Sequence, residues 1–124
     1  MSPRTARQEL GERSEQLALR FLVSQGYAIE ETNVRFPVGE IDTVAREGHT
    51  LCFVEVRATR SDDWGGPLAS IGDRKRRRLI RAARWYLVRF RELPEEIRFD
   101  VVAMTWDGAG EPTPELVRGA FDAS

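Results

Sequence analysis

Two short runs constrain this chain more than any other feature: Gly39-Glu40-Ile41-Asp42-Thr43-Val44-Ala45 and Leu51-Cys52-Phe53-Val54-Glu55-Val56-Arg57-Ala58, joined by a turn at Glu47-Gly48-His49. Both read as strands, in which successive side chains point to opposite faces. Phe53, Glu55 and Arg57 then share one face of the second strand, while Cys52, Val54 and Val56 share the other. If one face packs on a core, Asp42 and Glu55 from neighbouring strands meet Arg57 on a partly buried surface, where unpaired charge is costly. A bound divalent cation is one way to relieve that cost.

The 124 residues read as a single domain, 1–124, long enough to bury a core without covalent staples, with an amino-terminal end expected to be flexible. A hydrophobic fraction of 41% and a charged fraction of 31% suit a folded globular chain rather than a disordered one. Cys52 is alone, which excludes a disulfide framework and a cysteine zinc site. His49, also alone, falls at the hairpin turn and reads as a solvated turn residue. Met1 to Arg7 holds no apolar run of the kind that makes a signal peptide, and no stretch is long and apolar enough to span a bilayer. The expected setting is a reducing cytoplasm, with no membrane partner.

The pattern from about Thr5 to Gln25 is helical and ends at Gly26, with Leu17, Ala18, Phe21 and Leu22 as its apolar stripe. Glu15 falls on or beside that stripe. It either edges the stripe toward water or an arginine, or faces the same polar site as Asp42 and Glu55. Tyr27 to Asn33 reads as a strand, followed by a loop around Arg35 to Gly39 and then the two runs described above. Ser61 to Gly72 is loop-like and carries Trp64. A second helix is expected from Asp73, acting as its cap, to about Arg91, and Ile97 to Trp106 as a buried strand. A short apolar element at Leu116 to Phe121 closes the chain. Hairpin-length links make the first three strands antiparallel, and the long link through a helix makes the fourth parallel to the third. The expected architecture is α/β, an αβββαβ core with a mixed sheet flanked by helices.

A net charge of −1 conceals an uneven distribution, because Arg74 to Arg91 holds nine Lys or Arg residues and no acid. Leu79, Ile80, Ala83, Tyr86, Leu87 and Phe90 form the apolar stripe of this helix, and Arg77, Arg78, Arg81, Arg84 and Arg91 spread over the opposite face. Such a run is usually a solvated face. Lys75, the only lysine, and Arg76 lie on the two margins of the stripe in the first turn, where the helix dipole favours an anion. With Trp64 they are candidates for phosphate and nucleic-acid contact.

Gly11-x-x-Ser14-Glu15-x-x-Ala18, Phe21-Leu22, Gly26-Tyr27, Gly39-Glu40-Ile41-Asp42, Phe53-Val54-Glu55-Val56-Arg57, Trp64-Gly65, Lys75 and Arg98-Phe99-Asp100-Val101-Val102 together resemble the YraN-like uncharacterised protein family. That family is similar to the PD-(D/E)xK, or restriction-endonuclease-like, nuclease superfamily and, within it, to archaeal-type Holliday junction resolvases. The resemblance implies a restriction-endonuclease-like fold. It also implies that Asp42, Glu55 and the backbone carbonyl of Val56 hold Mg or Mn, with Glu15 adding a carboxylate from the first helix. Arg57 stands where the superfamily's lysine usually sits. Arginine stays protonated and cannot act as a general base, but it can hold a phosphate or a water by forked hydrogen bonds. Ser14 replaces the family's usual second glycine. Glu40 shares a face with Asp42, either supporting the ligands from behind or ending the strand in solvent. Asp100 is expected to support the site from behind, as a structural hydrogen-bond acceptor or a pair for Arg98 or Arg57, in preference to binding metal itself.

The function these residues and the resemblance imply is metal-dependent hydrolysis of DNA phosphodiester bonds, with branched or structured DNA as a substrate class. Cutting two strands would call for a homodimer, for which the sequence shows no interface. The alternative is a nucleic-acid-binding module of the same fold without catalysis, which Arg57 favours. A third reading makes the basic helix a docking surface for an acidic protein.

Overall fold

The computed structural model describes residues 4–60, 71–108 and 110–123. Trp64, most of the expected Ser61–Gly72 loop and the first three residues of the amino-terminal end lie outside them. Among the described residues the order is α1 (Ala6–Ser24), β1 (Ala28–Phe36), β2 (Gly39–Glu47), β3 (Thr50–Arg60), α2 (Asp73–Leu87), β4 (Glu96–Trp106) and β5 (Thr113–Phe121). The five strands form one sheet in sequence order, parallel only between β3 and β4. This is the mixed αβββαβ arrangement expected, extended by a fifth strand. None of the described helices is long and apolar enough to cross a membrane.

Local chemistry sets the element ends. Thr5 and Gln8 form a reciprocal capping box at the start of α1, which satisfies donors that the first helical turn leaves open. Gly26, at φ +97°, turns the chain out of the helix as expected. The cap of α2 is Gly72, which has no side chain to bond the helix start, rather than Asp73, which is already the first helical residue. The loop expected before β2 shrinks to a two-residue turn, because β1 runs on to Phe36 and pairs it with Gly39. The apolar element expected at Leu116 to Phe121 is the second half of β5, and Pro114 is tolerated because β5 is an edge strand.

Each helix covers one face of the sheet. On the α2 side, Ile41, Val44, Leu51, Phe53 and Phe99 pack against Leu79, Ala82, Ala83 and Tyr86. Phe53 stacks on Phe99 and meets the edge of Tyr86, both at 5.7 Å, geometry that adds roughly 0.5–1.5 kcal/mol per pair beyond burial. On the α1 side, Ala18 and Leu22 pack with Tyr27, Ala45, Cys52, Val54, Val102 and Met104. Ser14 does more than replace a glycine here: its buried hydroxyl accepts from Trp106 Nε1 at 2.8 Å.

Asp100 is the polar anchor of the α1 side. It is fully buried, at 0% exposure, opposite a register shift between β4 and β5. Its Oδ1 accepts the Gly119 N–H at 2.9 Å and Arg98 Nε at 2.8 Å, and its Oδ2 accepts the Tyr27 hydroxyl at 2.6 Å. Arg98 also reaches Glu47 at 2.6 Å. The pairing with Arg98 is one of those expected, but the sheet places Asp100 beside Val54, on the face opposite Glu55, so it does not support the carboxylate site. Replacing Asp100 with Ala strands a guanidinium, a hydroxyl and a peptide N–H together, and urea denaturation should show a loss of about 3–5 kcal/mol.

Candidate functional site

β2 and β3 pair from Glu47 opposite Thr50 to Thr43 opposite Val54, and there the ladder stops although both strands continue. Just beyond, the Val56 N–H donates to Asp42 Oδ2 at 2.9 Å, so a side chain replaces the missing backbone acceptor. Asp42 and Glu55, the next residues in register, face each other where the strands part. Glu55 is only 4% exposed, and its Oε1 accepts Lys75 Nζ from α2 at 2.7 Å.

The electrostatics follow from that crowding. Burial, with the charge of Glu55 beside it, pushes the Asp42 carboxyl up to about 8 despite the Val56 N–H, which pulls the other way. Glu15 is also raised, first by burial and then by the charges of Glu40 and Glu55. Glu15 therefore faces the polar site. Asp42 borders two cavities. One, of about 580 Å³, opens on the α2 side between Glu55, Glu40, Arg74, Lys75 and Arg78. The other, of about 290 Å³, lies on the α1 side and is shared with Glu15 and Glu12.

Among the described residues, no three His, Cys, Asp or Glu side chains come close enough to enclose an ion by themselves. Two mutually desolvating carboxylates beside a roomy polar cavity do fit a hard divalent cation that keeps part of its water shell, such as Mg or Mn. Other chemistry is poorly served. Burial pushes the Cys52 thiol up to about 12, far from a reactive thiolate, and His49 is exposed at the turn between β2 and β3.

The remaining expected residues divide. Glu40 lines the α2-side cavity while pairing loosely with Arg35 at 3.6 Å. Lys75 reaches Glu55 because its margin of the helix faces the sheet. Arg76, on the other margin, turns away from the site: its Nε donates to the Ile71 carbonyl at 3.2 Å and its guanidinium lies 5.5 Å over Phe121. Arg57 borders a cavity of about 770 Å³ between the start of α1 and the end of β3. The sequence reading missed Arg74 and Arg78, which wall the carboxylate cavity. For Arg78 the signal was the glycine of Gly39-Glu40, because a Cβ at Gly39 would sit 3.1 Å from the Arg78 carbonyl, and that close approach draws the turn onto α2.

The chain belongs to the uncharacterised protein family UPF0102, whose profile matches residues 14–104. It is 45% identical to a UPF0102 protein of Desulfosudis oleivorans over 95% of this chain and 94% of that one. It is 48% identical to one of Herminiimonas arsenicoxydans over 82% of each. A third, from Chlorobium chlorochromatii, is 44% identical over 98% of this chain and 97% of its own. The resemblance first read from Gly11 to Phe121 is thus family membership.

The shift at Asp42 has a thermodynamic sign. Its carboxyl titrates near 3.8 when unperturbed and near 8 in the fold, so between those values the folded state holds the extra proton. Its contribution to stability is therefore lost as pH rises from about 4 to 8. Thermal unfolding in EDTA should show the Asp42→Asn variant gaining on wild type across that window. A difference that is constant with pH would contradict the assignment.

Proposed function

We propose that the protein is a metal-dependent endonuclease acting on DNA, with branched or otherwise structured DNA as its substrate class. The observation that carries this reading is the desolvated Asp42–Glu55 pair, set where the β2–β3 ladder opens and walled by cationic side chains of α2. Asp42, Glu55 and the Val56 carbonyl would hold Mg or Mn, with Glu15 facing it from α1. When bound, that ion supplies an acidified water and neutralises charge building on the phosphodiester. Asp42 is already oriented by the Val56 N–H. Arg74 and Lys75 present positive charge to the phosphate across the same cavity. Arg57, always protonated, holds a phosphate or water and takes no proton from it.

A non-catalytic nucleic-acid-binding module is the second reading. It is favoured by the ion pair between Lys75 and Glu55, which satisfies the buried carboxylate without a metal.

Wild type and the Asp42→Ala, Glu55→Ala double variant, incubated with labelled single-stranded, duplex, flap and four-way DNA in Mn²⁺, Mg²⁺ or EDTA, separate the two. The nuclease reading expects cutting by wild type in metal alone and background levels for the double variant. Glu15→Gln should lower the rate by roughly 10–100-fold, as loss of a group supporting a metal site does. Binding without cutting under every condition would transfer the assignment to the module, and Arg57→Lys would then test whether a motif lysine restores activity.

A further inference from the structure

The outward face of α2 carries a feature that begins at the carboxylate cavity, which Arg74 and Arg78 wall, and runs on beyond it. At 100° per residue Arg74, Arg78, Arg81 and Trp85 fall on one line along the helix, with Arg77 and Arg84 beside it, and all six are exposed. Among the described residues, none of these five arginines has an ion-pair partner. Arg35, Arg89, Arg98 and Arg118, by contrast, each hold a carboxylate. Five unpaired guanidiniums side by side repel one another and focus a positive field along the helix.

Trp85 ends that line. Its indole is 50% exposed, although a solvated face of arginines has no need of a large apolar ring. The ring rests against Phe36 at 5.9 Å and 42°, and Arg89 lies 5.7 Å over the Phe36 ring in turn. Trp85 is thus a braced platform with one flank open to solvent. A hollow of about 370 Å³ at the β1–β2 turn lies beside the stripe: it is lined by Arg78 and by Phe36, on which Trp85 rests, and it shares Gly39, Glu40 and Arg78 with the carboxylate cavity. From Arg74 to Trp85 the helix rises about 16 Å.

We propose that this groove binds an unpaired strand of nucleic acid leading away from Asp42 and Glu55, with its phosphates on Arg74, Arg78 and Arg81 and a base stacked on Trp85. The assignment rests on the nucleic-acid reading above and adds which part of the substrate lies where. Exposed aromatics beside a cationic track suit single strands, because an unpaired base offers its π-face whereas a duplex buries it in the stack. An acidic polypeptide would satisfy the arginines and leave the indole idle.

The test is fluorescence anisotropy in EDTA, so that cleavage plays no part. It compares a blunt duplex with the same duplex carrying a short single-stranded DNA or RNA extension. Wild type should prefer the extended duplexes. Trp85→Leu, which keeps an apolar cover over Phe36, should lose roughly tenfold in affinity for them and little for the blunt duplex. Arg78→Ala with Arg81→Ala, both at exposed positions, should lower the single-strand salt slope by about 1.4. Full preference retained by Trp85→Leu, an unchanged salt slope, or competition by polyglutamate equal to that of the single strand would each overturn the groove assignment. Equal binding of blunt and extended duplexes by wild type overturns the groove alone. Binding of neither overturns the nucleic-acid reading with it.

Discussion

β3 is bound unequally on its two edges, and that inequality shapes the molecule. Along one edge it pairs with β4 through all of Thr50–Arg60. Along the other it pairs with β2 only as far as Val54. Parallel pairing of that length needs a long crossover, and α2 supplies it, which brings the basic helix over the sheet. Release from β2 opens the gap in which Asp42 and Glu55 face each other. A fully paired hairpin would leave no cavity between the strands, and a β3 unpaired on both edges would not hold Glu55 in place.

The gap is electrostatically costly, and its neighbours show how the fold bears it. One peptide N–H turns to Asp42, and one ammonium turns to Glu55. Neither offsets the burial of Asp42 and, after it, the charge of Glu55 beside it, which together hold its carboxyl raised. The contrast with Asp100 is instructive. That carboxylate is buried more completely, yet two arginine nitrogens, a tyrosine hydroxyl and a backbone N–H surround it. A carboxylate so fully satisfied anchors a structure, whereas one left short of donors keeps capacity for something else.

Much of this was legible in the sequence, because alternation and helical periodicity are strong local signals. The strand faces of β2 and β3, the stripe of α2 and the parallel crossover all follow from spacing within a few residues. What escaped depends on contacts between distant segments. Asp100 was read as a neighbour of the site because register between β3 and β4 decides its face, and register is not written in either strand alone. Ser14 looked like a tolerated replacement until Trp106, 92 positions away, was found to donate to it. Arg78 looked like an ordinary solvated helix position, and nothing in the helical pattern singled out Trp85. Only the β1–β2 turn, packed against α2 at Gly39, makes Arg78 a wall of the carboxylate cavity and gives Trp85 the ring of Phe36 to rest on.

Lys75 carries one last consequence. It is the chain's single lysine, and its ammonium rests on the buried carboxylate of Glu55 with 45% of the side chain still exposed. Acylating reagents therefore have one side-chain amine to find, and it lies within the cavity. The acylation rate would report how tightly Glu55 holds that amine, which makes the molecule's one lysine a built-in chemical gauge of the state of its carboxylates.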